Sequence, residues 1–117
     1  AKHIGIYAMN EAIVTGTDRI LQQYGLPHLP MIHCFLVHGR YRVDLTEGNH
    51  NGKNRPIDEM LYTEAVSATI PAKDEYLKYR QALTGLIRDR EELQGLDIKT
   101  ILHAREAGLA LLKAHVA

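Results

Sequence analysis

Apart from one short helical stretch, apolar residues in this chain keep a period of two up to Ile70 and a period of 3.6 after Pro71. A strand alternation cannot bury one face as a helix, nor a helical stripe as a strand, so strands come first and long helices last. That order argues for an α+β fold rather than an alternating α/β one. Ile4, Ile6 and Ala8 alternate with His3, Gly5 and Tyr7, which predicts a strand over 2–8. Ile13, Val14, Ile20, Leu21 and Tyr24 are spaced for a helix. Thr17 and Asp18 suit its start, and Gly25 and Pro27 its stop, so we expect it over 17–24. Val66, Ala68 and Ile70 suggest a third strand region ended by Pro71. Tyr76, Tyr79, Leu83, Leu86 and Ile87 then line one face of a helix over about 73–92. Gly95 breaks it and Asp97 caps the next, whose stripe is Ile98, Ile101, Leu102, Leu109 and Leu112. No repeat, low-complexity tract or linker divides the chain. The expectation is a single α+β domain over 1–117. It has a small antiparallel sheet with a central hairpin at about 31–45, one short helix before that hairpin, and two longer C-terminal helices packed on the sheet.

The hairpin, Met31 to Leu45, carries the candidate chemistry. A two-residue turn at His38-Gly39, where Gly accepts positive φ freely, sets Val37 opposite Arg40, Leu36 opposite Tyr41 and Phe35 opposite Arg42. Cys34 then faces Val43, and His33 faces Asp44. A four-residue loop keeps this register and a three-residue loop shifts it. One face collects Ile32, Cys34, Leu36, Tyr41, Val43 and Leu45, which assigns it to the core. The other collects His33, Phe35, Arg40, Arg42 and Asp44. Directly opposite residues have Cβ atoms about 4.5–5.5 Å apart, close enough for an imidazole to donate to a carboxylate. Such a carboxylate fixes the His tautomer and stabilises its charged form, giving two members of a nucleophile–base–orienter triad. Spacing alone favours the plainer reading, a cross-strand ion pair on a solvated sheet face. Cys34 adjoins His33 in a strand and points the other way, so we expect it to be a core residue. Ser67, the one serine, lies in no nucleophile motif.

Three stretches resemble the later part of transglutaminase-like, papain-type domains, closest to an uncharacterised bacterial branch. They are Gly5-Ile6-Tyr7-Ala8-Met9-Asn10, Ile32-His33-Cys34-Phe35-Leu36 and Arg42-Val43-Asp44-Leu45-Thr46. The likeness spans roughly Lys2 to Thr46, with a looser match at Ile101-Leu102-His103-Ala104-Arg105-Glu106. It implies that His33 is a general base and Asp44 its orienter in thiol-dependent acyl transfer or amide hydrolysis, with a peptide or amide as substrate and no cofactor. The family's nucleophilic Cys opens a helix ahead of these strands, and this sequence holds no such residue before Ala1. Taken alone, the chain is expected not to form an acyl-enzyme. The alternative is a non-catalytic binding or assembly module that uses the open sheet face and the C-terminal helices.

Composition excludes other classes. Fourteen basic residues balance fourteen acidic ones, so no global field draws nucleic acid or anionic membrane. The one cysteine allows no intrachain disulfide and favours a reducing compartment. No apolar run nears the roughly 20 residues of a membrane helix, and Lys2 and His3 lead straight into a strand rather than a signal peptide. A cytoplasmic protein with neither nucleic acid nor membrane partners is expected. Ala1 follows either a removed initiator Met or further chain. His28, His33 and His38 recur every five residues, but their faces differ and no zinc spacing is present. The loop from Gly48 to Pro56, with His50, Lys53 and Arg55, reads as an ordinary mobile loop, with a rim for an anionic or peptide substrate as the sharper alternative. Leu109 to Leu112 is apolar nearly all round, which makes the last helix a candidate homo-oligomer surface.

Overall fold

The computed structural model describes residues 1–44 and 55–116, with Asp44 and Val116 as backbone only. Its elements run β1 (Lys2–Met9), α1 (Thr17–Tyr24), β2 (Leu29–His38), β3 (Tyr41–Asp44), β4 (Tyr62–Ala65), α2 (Ala72–Asp89), a 3-10 turn at Glu91–Leu93, and α3 (Ile98–Val116). The four strands form one antiparallel sheet in the order β3-β2-β1-β4, giving an α+β fold. The β2–β3 hairpin thus places β2 inside the sheet and β3 at one edge. The Gly48-to-Pro56 loop, with His50 and Lys53, falls almost wholly outside the described residues, as do Leu45 and Thr46 of the resembling segment.

α1 covers the residues expected of it, but its cap differs. Gly16 is the cap residue at φ 102°, and its amide (2.9 Å) and that of Asp18 (2.9 Å) both donate to the Glu11 carboxylate. These amides have no partner within the helix, so a carboxylate there satisfies two of them at once. Asp97 caps α3 as expected, accepting from the Lys99 amide at 3.1 Å.

The third strand lies earlier than the alternation of Val66, Ala68 and Ile70 suggests, at Tyr62–Ala65. Ser67 and Thr69 bond to each other and to the local backbone, and the Ile70 amide donates to the Ser67 carbonyl at 3.1 Å. These side-chain bonds favour a turn over continued extension.

Tyr79, Leu83 and Leu86 of α2 are buried, with Tyr76 and Ile87 packed beside them. The Tyr79 hydroxyl donates to the Pro30 carbonyl at 2.7 Å, joining α2 to β2 within the core. Burial pushes that hydroxyl well above the ordinary tyrosine range.

α3 meets β2 through Gly108, where a Cβ would stand 2.8 Å from Leu29 Cδ2 and 3.3 Å from the Met31 thioether. Ile101 and Ala104 are buried on the same side, whereas Leu109 is 37% exposed and does not belong to the packed stripe. A helix touching a sheet this closely needs its smallest residues at the contact, which moves the stripe onto Ile101, Ala104 and Gly108.

Candidate functional site

The hairpin turns one position later than the sequence suggests. Gly39, at φ 64°, takes the first loop position, and His38 pairs with Tyr41. The ladder continues Val37–Arg42, Leu36–Val43 and Phe35–Asp44. The register therefore differs by two residues from the expected one, so every residue keeps its face but changes its partner. Asp44 lies opposite Phe35, not His33. His33 is one pair further along the same face, a diagonal neighbour at about 7–8 Å between backbones. Across its other side His33 pairs with Gly5 of β1.

The buried face is also the reverse of the expected one. His33 and Phe35 are buried, whereas Tyr41 is 71% exposed, Val43 52% and Leu36 38%. The coverage explains this. The 57–60 segment runs over the His33 side, where Arg42 donates to the Ile57 carbonyl and Met60 Sδ would stand 2.8 Å from a Cβ at Gly5. Gly5 has no side chain, and the space beside His33 is taken by Phe35 and Met60. On the other side α2 reaches only as far as Cys34, through Glu75, and the tip of the hairpin projects past it.

His33 sits among rings. Tyr7 meets it edge-on with centroids 6.1 Å apart, and Phe35 stacks on it at 6.4 Å. His3 stacks on Phe35 at 5.5 Å, and the Arg42 guanidinium lies 5.6 Å from the same ring. Burial pushes the Tyr7 hydroxyl up to about 12, so it stays a neutral donor near neutral pH. This aromatic wall holds the imidazole's orientation and excludes water from its faces.

Cys34 faces away from this wall and is half-buried rather than a core residue. Its thiol donates to Glu75 Oε2 at 3.8 Å, and Lys2 donates to Glu75 Oε1 at 2.8 Å. Burial and the Glu75 carboxylate push the thiol pKa up, which suppresses the nucleophilic thiolate. His28 lies elsewhere, 3.4 Å from Glu92, and His38 is exposed at the hairpin end. Among the described residues no three His, Cys, Asp or Glu side chains gather as metal ligands. No described helix is long and apolar enough to cross a membrane.

Sequence reasoning missed Glu11, Glu75, Tyr7 and Gly5 as parts of these environments. Only the alternation of Gly5 and Tyr7 on one face of β1 signalled a link to the hairpin. Comparison with known proteins adds no relative: no family model, curated protein or solved structure matches the chain.

Proposed function

We propose that this is a transglutaminase-like domain in which His33 acts as general base and Asp44 as its orienter, for thiol-dependent acyl transfer or amide hydrolysis on a peptide or amide. The observation that carries the proposal is the shared face. His33 is buried against Tyr7 and Phe35, and Asp44 belongs to the same side of the β2–β3 ladder. A base held in a dry aromatic wall is oriented before substrate arrives, and in this reading Asp44 completes that orientation. Cys34 is not the nucleophile, because it is on the other face and its thiol is held protonated. In this reading the attacking thiol comes from outside this sequence, whose one cysteine is Cys34. The natural gene product, isolated from its source, tests this by its alkylation with iodoacetamide. A thiol other than Cys34 should react, and His33→Gln should slow it by about a hundredfold, the scale of general-base assistance. A product whose one thiol is Cys34, or a rate indifferent to His33, contradicts the proposal.

A second reading rests on the exposed Leu36, Tyr41 and Val43 beside the outer edge of β3. Here the hairpin is an assembly surface, and its partner is a second copy of the chain docked along that edge. Sedimentation velocity separates the two. Tyr41→Ser with Val43→Ser should convert a dimer to monomer, and a monomeric parent protein dismisses self-assembly.

A further inference from the structure

The edge of the sheet farthest from the hairpin carries a groove that the His33–Asp44 proposal does not use. β4 ends the strand order, and no described residue pairs with its outer side. Its ladder matches Tyr62 with Ile6 and Glu64 with Ile4, and the Val66 amide extends the same register to the Lys2 carbonyl at 2.9 Å. Alternate residues of an antiparallel ladder exchange hydrogen bonds, and the Val66–Lys2 bond assigns the inward role to the even-numbered positions. Thr63 and Ala65 therefore aim their N–H and C=O groups outward, and both residues are exposed.

α2 runs beside this edge, anchored by Lys78, which donates to the Glu64 carboxylate. Between strand and helix lie two adjoining recesses of about 470 and 460 Å³ that share Lys78 and Gln81 as walls. The first has apolar walls of Val66, Ile70 and Leu77, with Leu77 44% exposed, and Asp74 at its rim. In the second, the cations Lys78 and Arg88 are paired with Glu64 and Asp89. Asp74 pairs with no cation among the described residues, so the groove's uncompensated charge is negative.

We propose that this groove binds an extended, basic peptide as a fifth strand on β4, with a lysine or arginine side chain of the peptide in the recess beside Asp74. The backbone of such a peptide satisfies Thr63 and Ala65, as in other cases of strand addition to a sheet edge. The aliphatic stem of its basic residue covers Leu77, Ile70 and Val66, and the cationic head meets Asp74. The edge is separate from β3, so the proposal stands or falls independently of the His33–Asp44 pair.

Amide NMR of the ¹⁵N-labelled protein tests it. The probes are a peptide of about eight alternating valines and threonines with a central lysine, and its match with a central glutamate. The lysine peptide should shift the amides of Thr63 and Ala65 and slow their exchange. Asp74→Lys should weaken the lysine peptide by about fivefold, the scale of an exposed ion pair, and strengthen the glutamate peptide. Thr63→Pro removes an outward N–H where an edge strand tolerates proline, and should abolish binding with the spectrum otherwise intact. Unperturbed Thr63 and Ala65, equal affinity for the two peptides, or no response to Asp74→Lys would overturn the proposal. So would shifts at this edge that depend on protein concentration without peptide, because they would assign it to a second copy of the chain.

Discussion

Glu11 illustrates how much one side chain can decide. Its carboxylate accepts from the Gly16 and Asp18 amides, and those bonds hold its pKa below the usual range. Glu92 is held lower still, to about 2, chiefly by Arg90. His28 is also depressed: burial outweighs the Glu92 carboxylate beside it, although Nε2 lies 3.4 Å from Glu92 Oε1. Burial prevails there because a contact of that length to a half-exposed carboxylate is weak. All three groups act in the same direction. A depressed folded-state pKa means that the unfolded chain binds more protons on acidification, so the stabilisation is present above the unfolded pKa and is lost as pH falls through the folded one. Stability should therefore decline from about pH 6.5 through His28, and further below about pH 4.5 through the two glutamates. Urea midpoints across that range check this. His28→Leu should flatten the upper part of the curve, and Glu11→Gln should reduce the lower part. A midpoint that rises on acidification would contradict both assignments. None of this was legible in the sequence, where Glu11 is one acid among fourteen and its reach of five to seven residues has no periodic signature.

Elements were legible to the extent that period and breakers defined them. α1 matched because Thr17, Gly25 and Pro27 bracket it, and α2 and α3 because their stripes are long. β4 was misplaced because Val66, Ala68 and Ile70 alternate by chance over a turn held by Ser67 and Thr69. The hairpin's faces could be sorted but not assigned. Alternation says which residues travel together, and only the tertiary cover from α2 and the 57–60 segment decides which set is buried. Two glycines in helices test the packing with opposite signs. At Gly108 a methyl group would press on the fully buried Leu29 and Met31, so Gly108→Ala should destabilise by about 1–3 kcal/mol, less the gain in helix propensity. At Gly85 the nearest atom to a new Cβ is Arg88 Nη2 at 3.8 Å, so Gly85→Ala should stabilise by about 0.5–1 kcal/mol. Equilibrium unfolding of the two variants checks the pair, and equal effects would mean that α3 does not touch β2 at Gly108.

At the scale of the molecule, the sheet is covered unevenly, and that unevenness creates the site. α2 stops at Cys34 and Glu75, α3 seats on Leu29 and Met31, and the hairpin beyond them is buried on the His33 side alone. Ile101, fully buried, sits where α3 joins this arrangement. Ile101→Ala should cost about 2–5 kcal/mol and lower the melting temperature of the whole protein in a single transition. Separate melting of α3 would show that it is peripheral. The proposed pair of His33 and Asp44 depends on all of these contacts, because strand register, face and cover must agree before the two residues can meet. Sequence alternation was enough to put them on one face, and the turn at Gly39 moved them from opposite to diagonal. The ¹H–¹⁵N titration of the His33 ring, in the parent protein and in Asp44→Asn, tests the pair directly. A carboxylate beside the ring favours its protonated form, so the midpoint should fall when Asp44 becomes Asn, while the amide spectrum stays folded. A midpoint that does not move would contradict the assignment of Asp44 as the orienter of His33.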